Sequence, residues 1–98
     1  MVIERALLPI LPGQEVEFET RFGVAVASLR AAVGCGRISL ARGVESPSQY
    51  LLLIEWASLE DHQHFATTEE FRHFRDLIAK YFAGKPDTEH FVPVALPQ

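Results

Sequence analysis

Tyr50-Leu51-Leu52-Leu53-Ile54-Glu55-Trp56 is the stretch on which the fold turns. Successive side chains of an extended strand point to opposite sides. Tyr50, Leu52, Ile54 and Trp56 therefore share one face, while Leu51 and Leu53 occupy the other and Glu55 alone is polar. A strand with two apolar faces expects cover on both.

Working outward, Ser46-Pro47-Ser48-Gln49 is a turn, and before it Arg37 to Val44 alternates well enough to be a half-buried strand, with Ile38, Leu40 and Val44 on the apolar side. Further upstream, Phe18, Phe22, Ala25, Leu29, Ala32 and Val33 mark one helical face between Gln14 and Val33, with Glu15, Glu17 and Glu19 near its start and Gly34 as its stop. Val2 to Leu11 is a first strand that ends at the Pro12-Gly13 turn. Downstream of Trp56, Ser58 with Asp61 and Thr67 with Glu70 have the form of two capping boxes, which predicts a short helical turn, a break at Ala66 to Thr68 and a longer helix. In that helix Phe71, Phe74, Ile78, Tyr81 and Phe82 form the inward stripe, Arg72, Arg75, Asp76 and Lys80 face away, and Gly84 and Pro86 end it. Thr88 to Val94 reads as a last strand.

The order strand, helix, strand, strand, helix, strand is a split βαβ unit. It predicts one α+β domain over residues 1–98, a ferredoxin-like βαββαβ fold with a four-stranded antiparallel sheet and both helices on one face. The other face is then bare, yet Leu51 and Leu53 ask for cover. A second copy packed sheet to sheet supplies it, and the chain is expected to be a homodimer through its sheet faces. The plainer reading keeps the stretch as the central strand of a sheet that is better covered within one chain.

Composition narrows the function. With 98 residues there is room for one core, and a net charge of -4 with interspersed signs offers no basic surface for nucleic acid or an anionic membrane. The single cysteine, Cys35, excludes an internal disulfide and a cysteine-based zinc site within one chain, and suits a reducing compartment; it reads as a small buried residue. The N-terminus, Val2-Ile3-Glu4-Arg5, lacks the form of a signal peptide, so a cytoplasmic location is expected.

The chain resembles the antibiotic biosynthesis monooxygenase family over nearly its whole length. The resemblance is carried by Leu52 to Trp56 followed by Ser58-Leu59-Glu60-Asp61-His62, by Phe71 and Phe74, by Glu89-His90-Phe91, and by the Pro12-Gly13 turn before a Glu-rich helix. It implies a dimeric α+β barrel with a pocket between sheet and helices in each protomer. It also implies activities that include oxygenation of electron-rich aromatic compounds without metal or flavin. Some relatives degrade heme instead; the positions of their ligand histidine and tryptophan fall on Arg75 and Phe65, so both groups are missing here. Fold alone does not choose among these activities.

His62 is the first catalytic candidate. Beside the end of the third strand, an imidazole can take the proton of a phenol or hydroquinone and make the ring a better electron donor to oxygen. The plain alternative is a hydrogen bond that locks the helix junction. His90, with Val92 and Val94 as same-face neighbours, either lines the pocket or is a core histidine. Trp56 offers a flat wall and an indole N–H to an aromatic ligand, or is simply core. Phe65, Tyr50 and Phe22 are weaker pocket candidates by the same logic. Arg75 and His73 read as surface residues, and no carboxylate is spaced to complete a metal site with the histidines. The resulting expectation is a monooxygenase without cofactor or metal, acting on a small aromatic, quinol-like or polyketide-like compound; the alternative is a non-catalytic dimer that binds a small apolar molecule.

Overall fold

In the computed structural model, which describes residues 1–98, the backbone forms β1 (Val2–Pro9), α1 (Glu15–Arg30), β2 (Cys35–Arg42), β3 (Gln49–Trp56), α2 (Leu59–Phe65), α3 (Glu69–Ile78) and β4 (Asp87–Phe91), with a 3₁₀ turn at Ala79–Tyr81. The strands lie in the order β2-β3-β1-β4 and every neighbouring pair is antiparallel, the ferredoxin-like arrangement that the element order predicts. No helix is long and apolar enough to cross a membrane.

β3 is hydrogen-bonded on both sides, which is why it tolerates so little polarity. Tyr50, Leu52, Ile54 and Trp56 are buried under the helices, whereas Leu51 and Leu53 on the opposite face stay half-buried in the single chain. Around Leu53 that outer face carries Ile3 and Leu7 of β1, and Arg5 paired with Asp87 and Glu89 of β4. The inner face seats α1 through Phe18, Phe22, Ala25, Val26 and Leu29. Phe18 meets Tyr50 edge to face at 4.9 Å, and Phe22 meets Phe74 of α3 at 5.9 Å, so aromatic contacts tie both long helices to the core.

Several boundaries differ from the sequence reading, each for a local reason; β1, for one, ends at Pro9 and not at Leu11. The inward stripe of α1 ends at Leu29, because the helix stops at Arg30; Ala32 is half-buried and Val33 exposed. The chain then turns through Gly34 at φ +81°, a conformation L side chains avoid, and the Gly34 carbonyl accepts the Ala57 N–H at 2.8 Å. β2 begins earlier and ends earlier than Arg37 to Val44, since Gly43 already belongs to the hairpin turn, where its N–H donates to the Gln49 carbonyl at 2.7 Å.

The break between α2 and α3 falls at Ala66 to Thr68 as expected, and Ser58 caps α2 by accepting the Asp61 N–H at 3.1 Å. It is Thr68, not Thr67, that caps α3, accepting the Phe71 N–H at 3.2 Å, while the Thr67 hydroxyl turns back to the His64 carbonyl. After Ile78 the helix tightens, because the Leu11 N–H donates to the Tyr81 carbonyl and the Ala83 N–H to the Pro9 carbonyl, which captures this segment at the end of β1. Finally, β4 stops at Phe91, short of Val94. Its partner strand has run out, since Phe91 already pairs with Ile3, and Pro93 brings no N–H. Val92 and Val94 are exposed and do not flank His90 in a sheet.

Candidate active site

The alternation of β1 puts Glu4, Ala6 and Leu8 on the buried face, with Ile10 beyond the strand continuing it. Glu4 is thus carried under the helices, opposite Ile54 of β3 and His90 of β4. A carboxylate in that position needs donors, and two converge on one of its oxygens. The Trp56 indole N–H donates to Glu4 Oε1 at 3.0 Å, and His62 Nε2 lies 3.2 Å from the same atom. His62 is placed one turn into α2 by the Ser58 cap, and its ring stacks on Trp56 at 5.0 Å and 16°. Its other nitrogen, Nδ1, sits 2.7 Å from His90 Nε2.

These contacts order the protons. With Glu4 as a carboxylate, His62 Nε2–H is the donor to it, Nδ1 is the lone-pair nitrogen, and His90 Nε2–H donates to that lone pair. Burial pushes the pKa of His62 down; Glu4 opposes this, and His90 adds to the lowering. His62 is therefore a neutral imidazole near pH 7, held in one tautomer, and its one lone pair is engaged by the exposed His90 ring.

Beside this group, between α3 and the β1–β4 side of the sheet, opens a cavity of about 370 Å³, within the size range of small-molecule sites. Nine of its fourteen lining residues are hydrophobic, Phe71, Phe74, Ile78 and Phe82 among them. Glu4 and His62 line it, with side-chain exposures of 9% and 16%.

The structure brings His62, His90 and Trp56 together and distributes the other candidates through the core. His90 is exposed and reaches the cavity only through His62. Trp56, fully buried, stands behind His62, and its N–H is committed to Glu4. Phe65 packs between Trp56 and Phe71, Phe22 between Phe18 and Phe74, and neither lines the cavity. Tyr50 donates its hydroxyl to Glu19, and burial, then that hydrogen bond, pushes its pKa up to about 12, so it is a fixed neutral donor.

Arg75 is exposed, as the sequence predicts, and it also lines the cavity, its guanidinium lying over Phe71, 5.6 Å from the ring centroid. Glu4 is the residue the sequence reading passed over. The signal for it was present, because the period-2 pattern that buries Ala6 and Leu8 buries Glu4 with them, and a buried acid asks for a function or a partner. The Cys35 thiol is half-buried, and burial, then Glu4, pushes its pKa up, the opposite of an activated nucleophile. No three of the His, Cys, Asp and Glu side chains are placed to hold a metal ion.

Residues 1–77 match the family model described as antibiotic biosynthesis monooxygenase. The chain is 37% identical over 95 residues to the uncharacterized protein YczJ of Bacillus subtilis, covering 96% of this chain and all of that one. Among solved structures, a candidate antibiotic biosynthesis monooxygenase from Bordetella bronchiseptica superposes with a TM-score of 0.92 at 29% identity, over 96% of this chain and 97% of its own. SnoaB, a cofactor-independent oxygenase from Streptomyces nogalater, has a TM-score of 0.83 at 17% identity, over 99% and 97% of the two chains, and shares the fold.

Proposed function

Because the chain belongs to the antibiotic biosynthesis monooxygenase family, we propose that it is a cofactor-independent monooxygenase that oxidises a small aromatic, quinol-like or polyketide-like compound with molecular oxygen. The observation that carries this reading is the apolar cavity of about 370 Å³ whose inner wall holds a neutral histidine backed by a carboxylate. An apolar cavity accepts an aromatic ring and dioxygen alike. The Glu4–His62 pair is the base: it takes the proton of an acidic hydroxyl or methylene, and the resulting anion is the electron donor to oxygen. On an anthrone the balance is a CH₂ group plus O₂ giving a ketone and water, with the proton first removed returned to the departing oxygen. The proton is received at His62 Nδ1 once the exposed His90 ring, which donates to that nitrogen, turns aside, and the imidazolium so formed keeps its Nε2–H on Glu4. Trp56 holds the plane of His62, His90 engages its outer nitrogen, and Phe65 and Phe22 back the lining residues Phe71 and Phe74, while Tyr50 serves the core beside Phe18.

The test is oxygen uptake with anthrone or a naphthohydroquinone by purified protein treated with chelator and free of flavin, with the ketone or quinone product identified. A second reading, a non-catalytic binding module, is favoured by the dominance of apolar side chains in the lining. Ligand-dependent thermal stabilisation that follows RT ln(1 + [L]/Kd), with no oxygen consumed, would replace the first reading with the second.

The same reading pairs two copies through the outer sheet face, where Ile3, Leu7, Leu51 and Leu53 are left half-covered. If about 600 Å² of apolar area is hidden per partner, burial contributes roughly 15 kcal/mol against an association cost of about 4 to 15 kcal/mol. Light scattering at micromolar concentration is expected to give twice 11.0 kDa, or 22 kDa, and Leu53→Asp to return the particle toward the single-chain mass. A single-chain mass for the unmodified protein would remove the pairing.

A further inference from the structure

Three ionisable side chains line the cavity, and they are not equivalent: Glu4 and His62 are nearly closed off from solvent, whereas the Arg75 side chain is 50% exposed and stands at the mouth. We propose that the cavity selects hydroxylated aromatic acids, the carboxylate seated on Arg75 and the hydroxyl directed inward to Glu4 and His62. The inference rests on the reading of this cavity as the substrate site.

Arg75 is free to serve. No hydrogen bond of the fold uses its guanidinium, and the carboxylate beside it, Asp76, lies 3.6 Å from Nε and is itself 70% exposed, a loose contact that costs little to exchange. At the same time the group is placed beside the cavity, because it lies over the Phe71 ring one helical turn earlier, 5.6 Å from the centroid. A guanidinium with idle N–H groups above an apolar mouth matches a carboxylate in two-pronged fashion, which an ammonium does not. The rest of the molecule does not attract anions, since its net charge is -4. A preference for an acid must therefore come from this one local cation. The inner end decides the orientation: a substrate entering acid-first would set its carboxylate against Glu4, while entering hydroxyl-first it gives that pair the proton they are arranged to take.

Titration calorimetry with 6-hydroxy-2-naphthoate and 2-naphthol separates the acid from the ring, and it reads binding rather than turnover. In low salt the acid is expected to bind about tenfold tighter than the naphthol, the scale of one accessible charge-assisted contact. Arg75→Gln, with its melting temperature checked against the unmodified protein, should erase that difference and leave the naphthol affinity unchanged; Arg75→Lys should restore only part of it. Equal affinities in the unmodified protein, or an Arg75→Gln variant that weakens both ligands alike, would overturn the role of Arg75 while the cavity stands as a binding site. Failure of both ligands to bind would overturn the cavity reading and this inference with it, whereas acid-selective binding without oxygen uptake would leave the inference standing and remove only the reaction.

Discussion

Oxygen uptake by the His62→Ala variant is expected to fall by about 10²- to 10⁴-fold, the range a positioned proton-transfer group contributes. The fold should survive, because the ring lies at the cavity wall and is not part of the hydrophobic core cluster. His62→Gln, which keeps a side chain over Trp56, separates lost chemistry from lost packing: it should be as inactive as the alanine variant and more stable. Since burial depresses the pKa of His62, the basic form persists below its ordinary value of about 6.5, so the rate is expected to hold from neutral pH down through that value and fall only beneath it. Stability runs in the same direction. The unfolded chain protonates this histidine near 6.5 and the folded chain only at lower pH, so its contribution is present above 6.5 and is lost as pH falls through the folded value. The protein has one tryptophan, and His62 stacks on it. Quenching of Trp56 emission by the imidazolium therefore reports the titration directly, and the signal should vanish in His62→Ala. Undiminished turnover in either variant would take His62 out of the mechanism.

Glu4→Leu is expected to destabilise the fold by about 2 to 3 kcal/mol, measured by urea unfolding at neutral pH. The leucine fills the space, yet it leaves the Trp56 and His62 N–H groups with no acceptor where water has little access, at about 1 to 3 kcal/mol each; part of this is returned because a carboxylate is no longer held out of water. The double variant with Trp56→Phe distinguishes the hydrogen bond from packing. Removing both members of a buried polar pair is far less costly than removing one, so the second substitution should add less than it does alone. Glu4→Gln carries the electrostatic half of the prediction. Glu4 acts to raise the pKa of His62 against burial, so its neutralisation should lower that pKa further and move the fluorescence midpoint of Trp56 to more acidic pH. An unchanged midpoint together with unchanged stability would mean that Glu4 and His62 do not act as a unit.

Several local decisions could be read directly from neighbouring residues. Tyr50 to Trp56, apolar on both faces, required a strand inside a sheet; the Ser58 cap and the break after Phe65 followed from side chains that compete for nearby backbone N–H groups; the stripes of α1 and α3 followed from helical period. Each of these rests on interactions spanning a few residues, and those are what a linear pattern encodes. His62 too was visible, as a titratable group just beyond a helix cap. What joins it to Glu4, 58 positions earlier, is the register between β1, β3 and β4, and no spacing along the chain announces that Trp56, His62 and His90 meet around one carboxylate. Arg75 was within reach of the same pattern, since it lies one turn after Phe71 and one before Ala79 on the stripe that lines the cavity; only the tertiary structure shows that this edge of the stripe opens into a cavity. It also ended β4 at Phe91, where β1 had no more backbone to offer. Periodicity determines which side of an element is buried, while the pairing of distant strands determines which buried groups touch, and the chemistry proposed for this chain depends on the latter.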